Sequence, residues 1–275
     1  MIKVVLSIAT RHDAKHSRIS KTREKIMVTS TQEQIRGWEM ASFALNHKLD
    51  RVLLYGKPGT GKTYFGLNYH LEAGKQSYRL VCTDDMTDGD MLGKYRQHDN
   101  GIWKFEEGSA LKAWRTGGRL VVDEINRVNG DVESRLMALI DTVTSSSFEN
   151  PDTGEIITPQ EGFSVVATMN GEPEDLAPAV RDRLVVRVNI EEPHPDAIAS
   201  LPVYLRDMAM AYSMRDDEDR YSLRSFIAFN SLYTSSGNLS YSAQVCLPTI
   251  AESVVDAFAL LLSENVAPAL EVSEA

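Results

Sequence analysis

The sequence predicts an α/β fold in three layers, a parallel sheet covered by helices on both faces, followed by a small α-helical domain. Three observations carry this. Five short runs are continuously apolar: RVLLY (51–55), YRLVC (78–82), RLVVD (119–123), FSVVAT (163–168) and LVVRV (184–188). Strands buried on both faces have that pattern, whereas half-exposed strands alternate. Helix-like segments separate them, and in DVESRLMALIDTV (131–143) the side chains Val132, Leu136, Leu139, Ile140 and Val143 share one face. Beyond EEPHP (191–195) the strand pattern does not return, and the chain reads as helices to about residue 264. The expected division is a basic N-terminal arm over 1–30, an α/β domain over 31–192, a helical domain over 193–265 and a fraying tail over 266–275.

Composition narrows the class. The chain has 275 residues, 43% hydrophobic and 25% charged, which is ordinary for a globular protein. No apolar run approaches the length of a membrane span, so no membrane association is expected. The opening MIKVVLSIAT is read as a strand and not as a signal peptide, because RHDAKH interrupts it and no small-residue cleavage site follows. Cys82 and Cys246 lack metal-like spacing and fit a reducing, cytoplasmic setting. The net charge of −10 is uneven, since residues 1–30 hold seven Lys and Arg against two Asp and Glu. An acidic body is a poor electrostatic match for DNA, while the basic arm keeps a nucleic-acid partner as an alternative to simple solvation.

Two inserts read as hairpins. KYRQHDNGIWKFEEG (94–108) places Asn-Gly between aromatic arms, the signature of a tight turn. FENPDTGEIITPQEGF (148–163) carries a Pro-Asp-Thr-Gly turn cluster.

The segment GKPGTGKT (56–63) fits G-x-x-x-x-G-K-[ST], directly after the first strand and before the helical stretch TYFGLNYHLEAG. Strand before and helix after is the context this phosphate-binding loop requires. Gly56, Gly59 and Gly61, with Pro58 and Thr60 between them, let backbone N–H groups turn inward toward phosphate oxygens. Lys62 reaches the β- and γ-phosphates, and Thr63 presents its hydroxyl to Mg²⁺. RLVVDEIN (119–126) ends a buried strand in two carboxylates. Asp123 suits the Mg²⁺ shell and Glu124 suits activation of a water. The loop and the acid pair together point to hydrolysis of ATP with Mg²⁺, not to nucleotide binding alone.

With VVATMN (165–170) and LAPAVRDRL (176–184) following in order, the chain resembles the AAA+ ATPases. GSALKAWRTGGRLVVDEINR (108–127) and DTGEIITPQEGFSVVATMN (152–170) place the resemblance in the MoxR and dynein-related (AAA_5-type) branch, over roughly residues 30–235. The resemblance implies a nucleotide-binding domain with a helical lid, assembled as a homo-oligomeric, hexameric ring. It implies a chaperone-like role toward a protein partner, often of von Willebrand A type. The alternative is the NTPase motor of a nucleic-acid-processing machine.

Roles follow residue by residue. Asn170 matches the sensor of the γ-phosphate or attacking water. Arg183 matches the arginine finger that enters the neighbouring subunit's site, with Leu184 where the family has Phe. Arg181 competes for that role, and simple ion pairing is the third reading of both arginines. Arg224 in SLRSFIAF (222–229) matches the second sensor, with Leu223 where the family often has Pro; an exposed helix arginine is the other reading. In the family both hairpins point over the ring pore. This makes Tyr95, Trp103, Phe105, Phe148, Ile156 and Ile157 candidate substrate contacts, set against plain packing onto the domain.

Overall fold

The computed structural model describes residues 37–99, 101–128, 130–141 and 146–263. The expected N-terminal strand and basic arm, Val143 and the tail beyond 263 lie outside the described residues. The elements in chain order are α1 (37–46), β1 (Arg51–Tyr55), α2 (Lys62–Asn68), β2 (Ser77–Val81), α3 (Asp88–Met91), β3 (Gly93–Gln97), β4 (Trp103–Glu107), α4 (Ser109–Thr116) and β5 (Arg119–Asp123). Then come α5 (Gly130–Ile140), β6 (Phe148–Glu149), β7 (Ile156–Ile157), β8 (Ser164–Thr168), α6 (Pro178–Arg183) and β9 (Val186–Asn189). Helices α7 (Pro195–Ala199), α8 (Val203–Ser213), α9 (Leu223–Ser236), α10 (Leu239–Cys246) and α11 (Ala251–Ser263) follow.

All five apolar runs become strands of one parallel sheet, in the order β2-β5-β8-β1-β9. The three central strands carry the most apolar sequence and are the most buried; Leu53, Leu54, Leu120, Val121, Val165 and Val166 have no exposed surface. Side chains alternate between two cores. Leu53, Leu120, Val122 and Val165 face α4 and α5, with Trp114 and Leu136. Val52, Leu54 and Val166 face α1 and α2, with Trp38 and Phe65. Gly66 of α2 lets that helix sit close on the sheet, because a Cβ there would stand 3.2 Å from both Val121 and Val166.

Two arginines at the start of strands are buried. Arg119 Nη1 donates to the Tyr69 carbonyl at 2.6 Å, and Arg51 Nη2 donates to the Asp141 carbonyl at 2.7 Å. Each satisfies carbonyls that the end of a helix leaves unpaired, at the negative end of its dipole. Helix α2 stops at Asn68, earlier than TYFGLNYHLEAG predicts, since Tyr69 turns extended and His70 takes a positive φ.

Both hairpins form. In the first, pairing ends at Gln97 with Trp103, and the turn is closed by His98 N–H to the Ile102 carbonyl at 3.0 Å and by Gly101 N–H to the His98 carbonyl at 2.8 Å, with Gly101 at φ 77°; Asn100 lies outside the described residues. The hairpins are fastened to each other. Phe105 N–H donates to Asp152 at 2.7 Å, and Arg115 of α4 bridges Glu107 and Glu155 at 2.6 and 2.8 Å. The six candidate contacts separate by burial. Tyr95, Trp103 and Ile156 are exposed; Phe105 and Phe148 pack partly against the core and stack on each other; Ile157 is buried.

Helices α7 to α11 enclose a separate core that includes Leu205, Phe226, Phe229, Val254 and Phe258. Among the described residues, no helix is long and apolar enough to cross a membrane.

Trp114 and Trp103 give a direct contrast. Trp114 is 2% exposed and Trp103 61%. Trp114→Ala is expected to lose about 3–5 kcal/mol of stability. Trp103→Ala should stay within about 0.5 kcal/mol. Urea unfolding followed by circular dichroism measures both, and equal losses would place Trp103 in the core.

Candidate functional site

Because β1, β5 and β8 are parallel, their C-terminal ends open on one edge of the sheet. Crevices at the carboxyl ends of strands are where open α/β sheets bind ligands. The loop 56–63 leaves β1, Asp123 and Glu124 end β5, and Met169 and Asn170 follow β8.

The loop curls through glycines in left-handed conformations. Gly59 has φ 77° and Gly61 φ 105°. Side chains there are barred by space as well as by strain. A Cβ on Gly59 would stand 2.6 Å from Ser222 Cβ, and one on Gly61 2.9 Å from His194 Cβ. Thr60 and Lys62 are buried, and the Thr60 carbonyl accepts from His194 N–H at 2.7 Å.

Lys62 Nζ lies inside this curl. It donates to the Gly56 carbonyl at 2.9 Å, to the Lys57 carbonyl at 2.6 Å and to Asn170 Oδ1 at 3.2 Å. Burial pulls its pKa down to about 8; Asp123 opposes this, while Arg220 and Arg224 add to it.

Asp123 is nearly saturated with donors. Thr63 Oγ1 donates to its Oδ1 at 2.8 Å, Thr168 Oγ1 donates to the same oxygen, and Arg79 Nε donates to Oδ2 at 3.1 Å. Burial works to raise the Asp123 pKa, but the bonds from Thr168, Arg79 and Thr63 outweigh it and hold the carboxyl below its usual value. Glu124 stands in a left-handed turn at φ 57° and ψ 45°, and its carboxylate accepts from Arg127 Nε. A non-glycine residue in that region is strained and needs surrounding structure to hold it.

Sequence reasoning therefore names groups that the fold does bring together: Gly56, Gly59, Gly61, Lys62, Thr63, Asp123, Glu124 and Asn170. Arg224 lies near the N-terminus of α9, exposed, and its charge acts on Lys62. Arg183 is elsewhere. It contacts Asp141 at 3.0 Å through Nη2 and the Ala179 carbonyl at 3.0 Å through Nη1. Arg181 stands 3.8 Å from Glu174. Sequence reasoning missed Arg79, Arg127, Arg220 and Lys57. Arg79 had one signal, a single cation inside the otherwise apolar run YRLVC. Lys57 stood inside GKPGTGKT and Arg127 ended GSALKAWRTGGRLVVDEINR, while Arg220 had no signal.

The donor set fits a nucleotide phosphate chain with a hard divalent cation. The loop offers inward backbone curvature and a buried ammonium, and the Thr63 hydroxyl sits beside a low-pKa carboxylate. Among the described residues no group of three or more His, Cys, Asp or Glu is placed to hold a metal. The pair of Thr63 and Asp123 is the kind of oxygen set Mg²⁺ takes, one or two protein oxygens with water and substrate phosphates completing the shell.

An AAA domain of the dynein-related subfamily matches residues 51–184. The denitrification regulatory protein NirQ of Stutzerimonas stutzeri is 25% identical over 221 residues, covering 74% of this chain and 78% of that one. Protein NorQ of Paracoccus denitrificans is 30% identical over 149 residues, 52% of this chain and 53% of that one. Midasin of Dictyostelium discoideum is 29% identical over 119 residues, 43% of this chain and 2% of that one. Apart from NirQ of S. stutzeri, the chain spans about half the length or less of these relatives.

Lys62 gives a pH test. It must be charged against phosphate, and a bound anion raises its pKa from about 8. Binding above that pH therefore takes up a proton, and affinity for ATP should fall with pH, by at most about tenfold per unit. At lower pH the affinity should be flat. Calorimetry in buffers of different ionisation enthalpy reads the proton uptake directly; none at pH 9 would place the Lys62 titration elsewhere.

Proposed function

We propose that this chain, an AAA+ ATPase of the MoxR and dynein-related branch, works as a ring whose sites are completed between neighbouring copies to remodel or mature a protein partner. The observation that supports this most is the separation of two groups. Lys62, Thr63, Asp123 and Asn170 converge through hydrogen bonds at one strand edge, while Arg183 is engaged with Asp141 on α5. A finger whose own chain keeps it on another element suits a neighbour's site, as a heterologous ring contact provides.

In this reading Lys62 and the loop amides bind the β- and γ-phosphates. Thr63, with Asp123 behind it, holds Mg²⁺, which neutralises phosphate charge. Glu124 accepts the proton of the attacking water, oriented by Arg127. Asn170 uses its amide to fix that water or the γ-phosphate. Arg183 of the adjacent copy steadies charge on the transferred phosphoryl group, a role suited to a planar, permanently charged fork. Residues 193–265 act as a lid tied to the nucleotide through Arg224. Exposed Tyr95, Trp103 and Ile156 on the fastened hairpins are the side chains available to a substrate protein. The net charge of −10 favours a protein partner over nucleic acid.

Two experiments test this. Glu124→Gln is expected to bind ATP normally and to lower turnover by at least about a hundredfold, since an amide cannot take the proton. Equal turnover in wild type and variant removes Glu124 from the mechanism. Specific activity should rise steeply with protein concentration and then level off. Arg183→Ala and Lys62→Ala should each be inactive, while their mixture regains turnover, because an intact finger then serves an intact loop next door. If subunits exchange and the mixture stays silent, Arg183 acts only as the ion-pair partner of Asp141.

A further inference from the structure

The segment joining α8 to α9 lies against the phosphate loop. Lys57 Nζ donates to the Met214 carbonyl at 3.1 Å and pairs with Asp216. Arg220 Nη2 donates to the Pro58 carbonyl at 2.7 Å. Ser222 fills the space beside Gly59. These contacts differ in kind. Lys57 and Asp216 balance each other's charge. Arg220 contacts a neutral carbonyl through Nη2, and its Nε is buried with no hydrogen-bond partner. An unsatisfied donor on a permanent cation is costly, so such a group calls for an explanation.

The electrostatics around it supply one. Arg220 and Arg224 both bear on the Lys62 ammonium, so three cations share one partly desolvated loop. Asp123 and Glu124 act on Lys62 in the opposite sense. Both carboxylates are already occupied, Asp123 by Thr63, Thr168 and Arg79, and Glu124 by Arg127. The anion that matches three convergent cations on a phosphate loop is a polyphosphate. A guanidinium held by one Nη keeps other donors for phosphate oxygens in a fixed fork.

We propose that Arg220 is a second nucleotide-binding cation of the helical region, engaging the terminal phosphates of a nucleoside triphosphate beside Arg224 while its contact with Pro58 aims it at them. This rests on the reading of 56–63 as the phosphate loop. Arg220 stands outside every motif that identifies the family in this sequence, and it joins the loop only because the α8–α9 segment folds back.

The test uses the full chain with Mg²⁺, and the probes are β,γ-imido-ATP and ADP. Arg220→Gln retains an amide donor for Pro58 while removing the charge; Arg220→Ala removes both. Both variants should weaken β,γ-imido-ATP binding by about tenfold to a hundredfold, the usual worth of a hydrogen bond to a charged group. ADP affinity should change by less than about twofold, because the lost partner is the terminal phosphate. Equal losses for the two nucleotides would make Arg220 a latch only, and no loss for either would end the proposal. Lys62→Ala, run in parallel, should lose both nucleotides. If it binds both like wild type, the phosphate-loop reading fails and takes Arg220 with it, a result distinct from a sound loop with an indifferent Arg220. If Arg220→Ala does not fold, Arg220→Gln carries the same comparison.

Discussion

Because β1, β5 and β8 run parallel with Leu54 beside Thr168 and Val122 beside Ala167, the residues that leave their C-terminal ends must emerge together. That register is the constraint on which the site depends. A shift of one residue would turn Thr168 away from Asp123 and exchange the sheet's two cores, because side chains alternate faces. The register is held by burial. The three strands are apolar on both sides, and a one-residue slip would force side chains packed in one core into the other and carry Arg51, Arg119 and Asp123 away from their hydrogen-bond partners. At the C-terminal edge of this core Thr168 donates to Asp123.

Arginine does different work at the two ends of the same sheet. At the N-terminal ends, Arg51 and Arg119 are buried and close the carbonyl ends of α5 and α2. At the C-terminal ends, Arg79 sits on Asp123, Arg127 on Glu124 and Arg220 on the phosphate loop. The chemistry is the same in each case, a rigid fork of donors seeking oxygens. The partner decides the consequence. At the N-terminal ends backbone carbonyls fix helices to strands, whereas at the C-terminal ends Asp123, Glu124 and the Pro58 carbonyl hold the guanidiniums at the edge of the loop.

The helical region is coupled to this edge at many points. His194 closes over Gly61, Ser222 over Gly59, and Lys57 and Arg220 cross between loop and helices in opposite senses. Gly59 and Gly61 thus serve twice, permitting the left-handed backbone and making room for the helices. The loop is therefore joined by direct contacts to the segment that leads into α9, whose core with Phe226 and Phe229 is packed separately from the sheet. The hairpins, pinned by Asp152 and Arg115, project Trp103 and Ile156 from the other domain as one piece.

The sequence by itself determined the five strands, the position of the phosphate loop and the acid pair, because each depends on neighbours along the chain. Continuous apolar runs state burial on both faces, and glycine spacing states where the backbone must curl. It overran the helix after the loop, since helix ends are settled by contacts from distant residues such as Arg119. Only the tertiary structure decided which cations reach the site. It brings Arg79, Arg127 and Arg220 to the C-terminal edge of the sheet and holds Arg183 on Asp141 instead. Long side chains report nothing of their partner until the fold brings Asp123, Glu124, Asp141 and Pro58 within reach. A charge's role is a property of its surroundings in space, and for these four arginines most of those surroundings come from other parts of the chain.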